Sequence, residues 1–138
     1  MGYNFSVQPG GRLLVVVIEG NLSIDEEEQL VRDSASYVAQ HPTADVLVDR
    51  RRSKTNLAPQ NVRPHLELIR THVPVEGKPK LALIVSTDYD FGMGRMFEFT
   101  GDQHIPHRMR IFRSLEEGCR WLDVDPATIR WPGGAAPA

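Results

Sequence analysis

A single cysteine, Cys119, stands in the 138-residue chain, so no disulfide can form within it and no all-cysteine zinc site can be built. Long hydrophobic runs are also missing. The longest, from Leu13 to Ile18, falls far short of the roughly twenty residues that a bilayer-spanning helix needs, and the first residues lack the basic-then-apolar order of a secretory leader. Charge of one sign is scarce: the formal net charge is −2, which gives no overall pull toward nucleic acid or anionic lipid. These absences predict a soluble, cytoplasmic protein with no membrane span, no nucleic-acid partner, and any partner chosen by local patches.

The composition that remains is ordinary for a globular protein, 41% apolar and 25% charged. A chain of this length has room for one core.

The elements alternate. A strand near residues 3 to 8 meets Pro9-Gly10-Gly11, a turn sequence, before the β-branched run Leu13 to Ile18, and the pair reads as a hairpin. Ser23-Ile24-Asp25-Glu26 has the capping-box pattern of a helix start; that helix carries Leu30, Val31, Ala35, Val38 and Ala39 and must stop before Pro42. Val46 to Val48 predict a short buried strand. Pro59 suits a first helical turn, followed by Val62, Leu66, Ile69 and Val73 at helical spacing. Leu81 to Val85 are apolar without alternation, the pattern of a central strand covered on both faces. Thr87 can cap a third helix bearing Phe91, Met93, Met96, Phe97 and Phe99, Met109 to Phe112 form a last strand, and Ser114 to Glu117 open a helix through Leu122.

The expected fold is therefore α/β: a mixed sheet of about five strands, an opening antiparallel hairpin followed by parallel β-α units, with about four helices. Residues 1–124 form the expected domain. Residues 125–138 read as a C-terminal tail, with Asp125-Pro126 able to start one more helical turn.

This order resembles that of small bacterial SpoIIAA-like proteins, and so do Leu47-Val48-Asp49 ending one strand, Phe91-Gly92-Met93-Gly94-Arg95-Met96-Phe97 in the third helix, and the closing Phe112 to Glu117 with Trp121-Leu122. The resemblance covers about residues 3 to 122. It implies a fold related to STAS domains and to the lipid-binding Sec14 type, for which most stand-alone members have no assigned activity. In the anti-sigma-factor antagonists of that wider group, a strand ending in Asp leads to Asp-Ser-Ser-Gly, whose serine is phosphorylated. Here the matching region runs Asp49-Arg50-Arg51-Arg52-Ser53-Lys54-Thr55-Asn56-Leu57, so the signature is absent, and with it the basis for a kinase-controlled switch.

Ligands of open parallel sheets collect beyond the carboxyl ends of the strands. The loops expected there contribute Glu19 to Asn21, Asp49 to Thr55, and Ser86, Thr87, Asp88 and Asp90. Arg50, Arg51, Arg52 and Lys54 could grip a phosphate or an acidic partner through guanidinium hydrogen bonds; the favoured reading is a solvated loop with one arginine paired to Asp49. Gly92 and Gly94 lie inside an apolar helical pattern, where each costs roughly 1 kcal/mol against alanine, so close packing explains them better than a phosphate loop. Arg95 reads as a surface salt-bridge partner.

His104 and His107 are near in sequence, but no third ligand is evident, and His65 and His72 are two turns apart; no metal site is expected. Ser86 lacks a nucleophile-elbow motif, Cys119 sits on an apolar stripe, and Asp25 to Glu28 read as favourable charge at a helix start. Neither catalytic residues nor a cofactor are expected.

The leading functional expectation is a non-enzymatic interaction module, docking a protein partner or itself as a homo-oligomer. Its surface combines Asp49, Arg50, Arg51, Arg52 and Ser53 with Ser86, Thr87 and Asp88 and with Phe91, Gly92, Arg95 and Met96. The alternative is a carrier of a small apolar or lipid-like ligand, in which Phe91, Met93, Met96, Phe97 and Phe99 line a cavity and the basic loop holds a head group. An enzyme, the third reading, needs a cleft joining Asp49, Ser86 and Asp88.

Overall fold

Pro9 and two glycines turn the chain back on itself. In the computed structural model, which describes residues 2–76 and 79–134, strand β1 (Tyr3–Val7) pairs antiparallel with β2 (Leu13–Asn21), Tyr3 opposite Ile18 and Val7 opposite Leu14. Gly10 has φ 87°, a conformation that costs a residue without a Cβ little. Gln8 closes the turn, its amide donating to the Leu13 carbonyl and its own carbonyl accepting from the Gly11 amide, each at 3.0 Å.

Helix α1 (Ile24–Gln40) starts with the expected capping box. The Ser23 hydroxyl accepts from the Glu26 amide at 3.1 Å, and the Glu26 carboxylate accepts from the Ser23 amide at 2.9 Å, so two amides left free at the helix start are satisfied. Strand β3 (Asp45–Lys54) follows, then a 3-10 turn at Pro59–Asn61, α2 (Val62–His72), β4 (Lys80–Ile84), α3 (Asp88–His104), β5 (Arg108–Phe112) and α4 (Leu115–Leu122). Thr87 and Ser114 cap α3 and α4, accepting from the Asp90 and Glu117 amides at 3.1 Å.

The sheet order is β1-β2-β3-β4-β5. Every pairing after the hairpin is parallel, with Val46 opposite Leu81 and Leu81 opposite Met109. The mixed sheet and its helices are the ones expected.

Because side chains alternate along a strand, β2 feeds two cores. Leu14, Val16 and Ile18 join a cluster under α1, α2 and α3, while Leu13, Val15 and Val17 join Leu47, Ala82, Ile84, Cys119 and Leu122 under α4. Ile129 and Trp131 also bury into this second cluster, and Gln8 holds Arg130 at both ends, accepting from its amide at 2.7 Å and donating to its carbonyl at 2.8 Å. Asp125 caps a 3-10 turn over Pro126–Thr128. The alanine-rich stretch 135–138, read as tail, lies outside the described residues.

Strand β3 is longer than the sequence pattern suggested. Residues 50–54, expected in a loop, continue pairing with β2 beyond a register shift between Val17 and Glu19, ending with Asn21 opposite Lys54. Their arginines and lysine hid a strand whose far end has β2 on one side only, since pairing with β4 ends at Asp49 and Ile84. Among the described residues no helix is long and apolar enough to cross a membrane.

Candidate functional site

The longer β3 changes where its basic residues go. Val46, Val48 and Arg50 alternate onto the face covered by α1, α2 and α3, so Arg50 points among apolar side chains. There it meets Glu27, which lies on the buried stripe of α1 with Leu30, Val31 and Val38. Arg50 Nη1 and Nη2 donate to the two Glu27 carboxylate oxygens at 2.9 and 2.6 Å, and the two residues are 7% and 1% exposed. Desolvating such a pair takes free energy that its own attraction about offsets, so it is a weak source of stability but is costly to break.

A third charged residue shares this interior. Asp90, 3% exposed, precedes Met93, Gly94 and Phe97 on the buried stripe of α3. One of its oxygens accepts from the Thr55 amide at 3.2 Å. The other, Oδ2, is buried with no partner, and so is Nε of Arg50.

All three line a partly open pocket of about 120 Å³ between the sheet and helices α1, α2 and α3. Its floor is Val46 and Val48 of β3, Leu81 and Leu83 of β4, and Met109 and Ile111 of β5; Leu30, Ile69, Met93 and Phe97 form the opposite wall. Glu27, Arg50, Thr55 and Asp90 gather at the carboxyl ends of the strands, so the pocket has one polar end. The hollow explains an otherwise odd feature of the central strand: Leu81 and Leu83 are only half-buried, whereas Ala82 and Ile84, on the other face, are fully buried. His65 of α2 also lines the pocket, edge-on to the Phe97 ring at 5.5 Å, and burial lowers its pKa below the ordinary histidine value.

Arg51 and Arg52 go elsewhere. Arg51 turns to the α4 face, where its guanidinium donates to both oxygens of buried Asp49 at 2.9 and 3.0 Å, and that hydrogen bond raises its own pKa. Arg52 pairs with Glu19 at 3.1 Å on the surface. The three arginines are thus divided among separate acids. Ser53 is buried and donates to the Arg50 carbonyl, Ser86 donates to the Arg51 carbonyl at 2.9 Å, and Asp88 pairs with Arg113 at 2.8 Å. Asp49 and Ser86 both engage Arg51, one through its guanidinium and the other through its carbonyl, while Asp88 pairs separately with Arg113.

Helix α3 presents two unlike faces. A Cβ on Gly94 would overlap the Ile111 side chain, so this glycine lets the helix approach β5, as close packing requires. Gly92 has open space above it. It lies on an outward stripe with Tyr89, Met96 and Phe99, of which Phe99 is 68% exposed. Phe91 stacks under the Arg113 guanidinium at 4.4 Å, and Arg95 reaches Glu98 at 3.8 Å. Of the aromatic and methionine residues expected to line a cavity, Met93 and Phe97 do. Met96 instead borders a shallow groove with Pro59, Arg63 and Thr100.

His107 is buried, Nε2 lying 2.6 Å from the Val73 carbonyl. His104 is exposed. Among the described residues no group of three or more His, Cys, Asp and Glu side chains is placed to hold a metal ion. Cys119 is buried in the α4 core, and that burial raises its thiol pKa.

The hairpin, the parallel β-α units and the order 1-2-3-4-5 define a class: an α/β domain with one mixed sheet covered unequally on its two faces. Solved structures place the fold more narrowly as SpoIIAA-like. An uncharacterized protein of the DUF3478 family with a SpoIIAA-like fold, from Shewanella loihica PV-4, superposes with a TM-score of 0.58 at 18% identity, covering 88% of this chain and 94% of that one. The anti-sigma factor antagonist SpoIIAA in its unphosphorylated form superposes with a TM-score of 0.53 at 13% identity, covering 89% and 98%. No family model and no curated protein sequence matches the chain.

Proposed function

We propose that the chain is a non-enzymatic, cytoplasmic interaction module, and that it works by docking a second copy of itself through the outward face of α3. The carrying observation is the exposed apolar stripe Tyr89, Met96 and Phe99, at the spacing that puts residues on one helix face. Most of its flanking charges are paired within the chain, Asp88 with Arg113, Arg95 with Glu98 and Asp102 with Arg110. A face whose border charges are mostly paired, with Arg63 beside Met96 an exception among the described residues, opposes little charge on its partner, which suits a contact between identical surfaces. The name of one fold neighbour, an anti-sigma factor antagonist, describes action on another protein and supports the interaction class at the level of fold alone.

Sedimentation velocity of the full chain tests the reading. The wild type is expected to sediment as a dimer and Phe99→Glu as a monomer, because a carboxylate would be desolvated in the contact. A wild type that stays monomeric at concentrations on the order of 0.1 mM, where any contact stronger than about 5.5 kcal/mol would be detected, overturns it.

A second reading has its own observation. The pocket on the inner side of the same helix has an apolar body, a polar end and two buried polar atoms without partners, features that suit a small apolar ligand.

A further inference from the structure

We propose that the pocket between the sheet and helices α1, α2 and α3 selects small apolar molecules that carry a hydrogen-bond donor head, ammonium before hydroxyl, and rejects carboxylates. The proposal rests on the small-ligand reading and adds the chemistry of the head group.

The ionisable side chains that line the pocket come from four elements: Glu27 from α1, Arg50 from β3, His65 from α2 and Asp90 from α3. Arg50 and Glu27 engage each other through two hydrogen bonds, which uses both carboxylate oxygens and two guanidinium nitrogens. Asp90 has no cation of its own. One oxygen takes the Thr55 amide at 3.2 Å, and the other is left bare. His65 does not balance it, since burial favours the uncharged ring. By formal charge, then, the polar end holds two acids against one guanidinium.

Two atoms remain to be satisfied, an acceptor at Asp90 Oδ2 and a donor at Arg50 Nε. Buried polar atoms are rarely left without partners, and each orphan calls for a group that completes it. An ammonium brings donors and the missing positive charge to Asp90 Oδ2, where a hydrogen bond between two ions is stronger than a neutral one, and leaves the Arg50 Nε donor to water. A hydroxyl can donate to Asp90 Oδ2 and accept from Arg50 Nε, with no gain in charge. A carboxylate can accept from Arg50 Nε but offers no donor to Asp90 Oδ2, and it adds a third acid to the same end, a like-charge arrangement in surroundings of low polarity.

Size narrows the class further. The 120 Å³ hollow is comparable with the apolar cavity of about 150 Å³ known to accept a benzene ring. A single ring or a short chain fits, whereas a long acyl chain does not.

Titration calorimetry of the full chain against four molecules with one apolar body separates the outcomes: toluene, benzyl alcohol, benzylamine and benzoate. Benzylamine is expected to bind most tightly, benzyl alcohol next, and benzoate at least about ten-fold more weakly than benzylamine, the size of one charge-assisted hydrogen bond. Asp90→Asn keeps the side-chain volume and removes the charge. It should bring benzylamine to within about two-fold of benzyl alcohol, because the neutral amide no longer faces the ammonium with an opposite charge of its own, and leave toluene unchanged. The wild-type ranking is a test in itself, independent of how the variant folds. Benzoate binding as tightly as benzylamine, or an Asp90→Asn protein that keeps the original ranking, overturns the head-group assignment while toluene binding preserves the small-ligand reading. No binding by any of the four removes that reading too and leaves water as the partner of both orphaned atoms.

Discussion

One sheet is covered in two ways. Under α4, alternate residues of β2, β3 and β4 meet Cys119, Leu122, Ile129 and Trp131 in an apolar cluster, with the Asp49–Arg51 pair closing its end. Under α1, α2 and α3, strands β3, β4 and β5 face a hollow in which Leu81 and Leu83 stay half-buried and Glu27, Arg50 and Asp90 are enclosed. A filled apolar core makes a sheet stable, and a core with a gap and internal charges is weaker but can recognise something. On the small-ligand proposal, stability falls to one face and recognition to the other, and unequal responses to substitution should reveal it.

The largest expected effect lies on the hollow face, where charge is enclosed. Arg50→Met leaves Glu27 and Asp90 as two acids without a cation at one end of an apolar pocket, and about 4 kcal/mol of stability should be lost, as when other buried pairs are broken from one side. Glu27→Leu combined with Arg50→Met should recover most of that loss, since two packed apolar side chains replace a pair that contributes little net free energy. Urea unfolding of the two single variants and the double variant gives the coupling directly. A double variant as unstable as the sum of the singles would mean that the pair is not coupled as its hydrogen bonds indicate.

Deletion of apolar volume should show the opposite asymmetry. Ile84 of β4 is fully buried in the α4 cluster, and Ile84→Ala should cost about 3 kcal/mol through lost burial and the cavity left behind. Leu83, its neighbour on the same strand, already borders the hollow, so Leu83→Ala should cost only about 1 kcal/mol. Equal losses in urea melts of the two variants would break the comparison between the faces.

Much of this architecture was legible in the chain, and the failures share a cause. The hairpin turn, the capping boxes at Ser23 and Ser114, the pause before Pro42 and the unbroken apolar run of β4 are local signals with local causes, and each marked its element. Glu27, Arg50 and Asp90 escaped because a charged residue was read as a sign of solvent. Glu27 counted as charge at a helix start, Arg50 as part of a basic loop, and Asp90 as a loop residue after β4. Their positions carried another signal. Glu27 stands three and four residues before Leu30 and Val31, Asp90 three, four and seven before Met93, Gly94 and Phe97, and Arg50 continues the alternation of Val46 and Val48. A charged residue in phase with an apolar stripe must be enclosed with it or must break it, and Glu27 and Arg50, on two different elements, satisfy each other inside while Asp90 keeps one oxygen without a partner. Pairwise partners across elements are not encoded in spacing. Neither is the gap, which depends on how far α2 stands from the sheet.

The smallest effect separates the faces by proton uptake. His65 lines the hollow, and no histidine belongs to the α4 cluster. Burial lowers the His65 pKa, whereas in the unfolded chain the ring titrates near about 6.5. As pH falls through that value the unfolded chain takes up a proton that the folded chain still refuses, so the native state loses stability on acidification; above it both states are neutral and the contribution is constant. Glu27 and Glu28 oppose the shift and Arg50 reinforces it, yet the burial effect is the largest. His65→Phe, placed against Phe97 in an apolar wall, removes this one titration and leaves the other acid-sensitive groups in place. Unfolding free energies measured between about pH 7.5 and pH 5, the range a histidine controls, should therefore fall less steeply for His65→Phe than for the wild type. Parallel slopes would mean that the hollow admits enough water to hydrate the charged ring, and the contrast between a dry face and an open one would then be sharper than the buried fractions alone suggest.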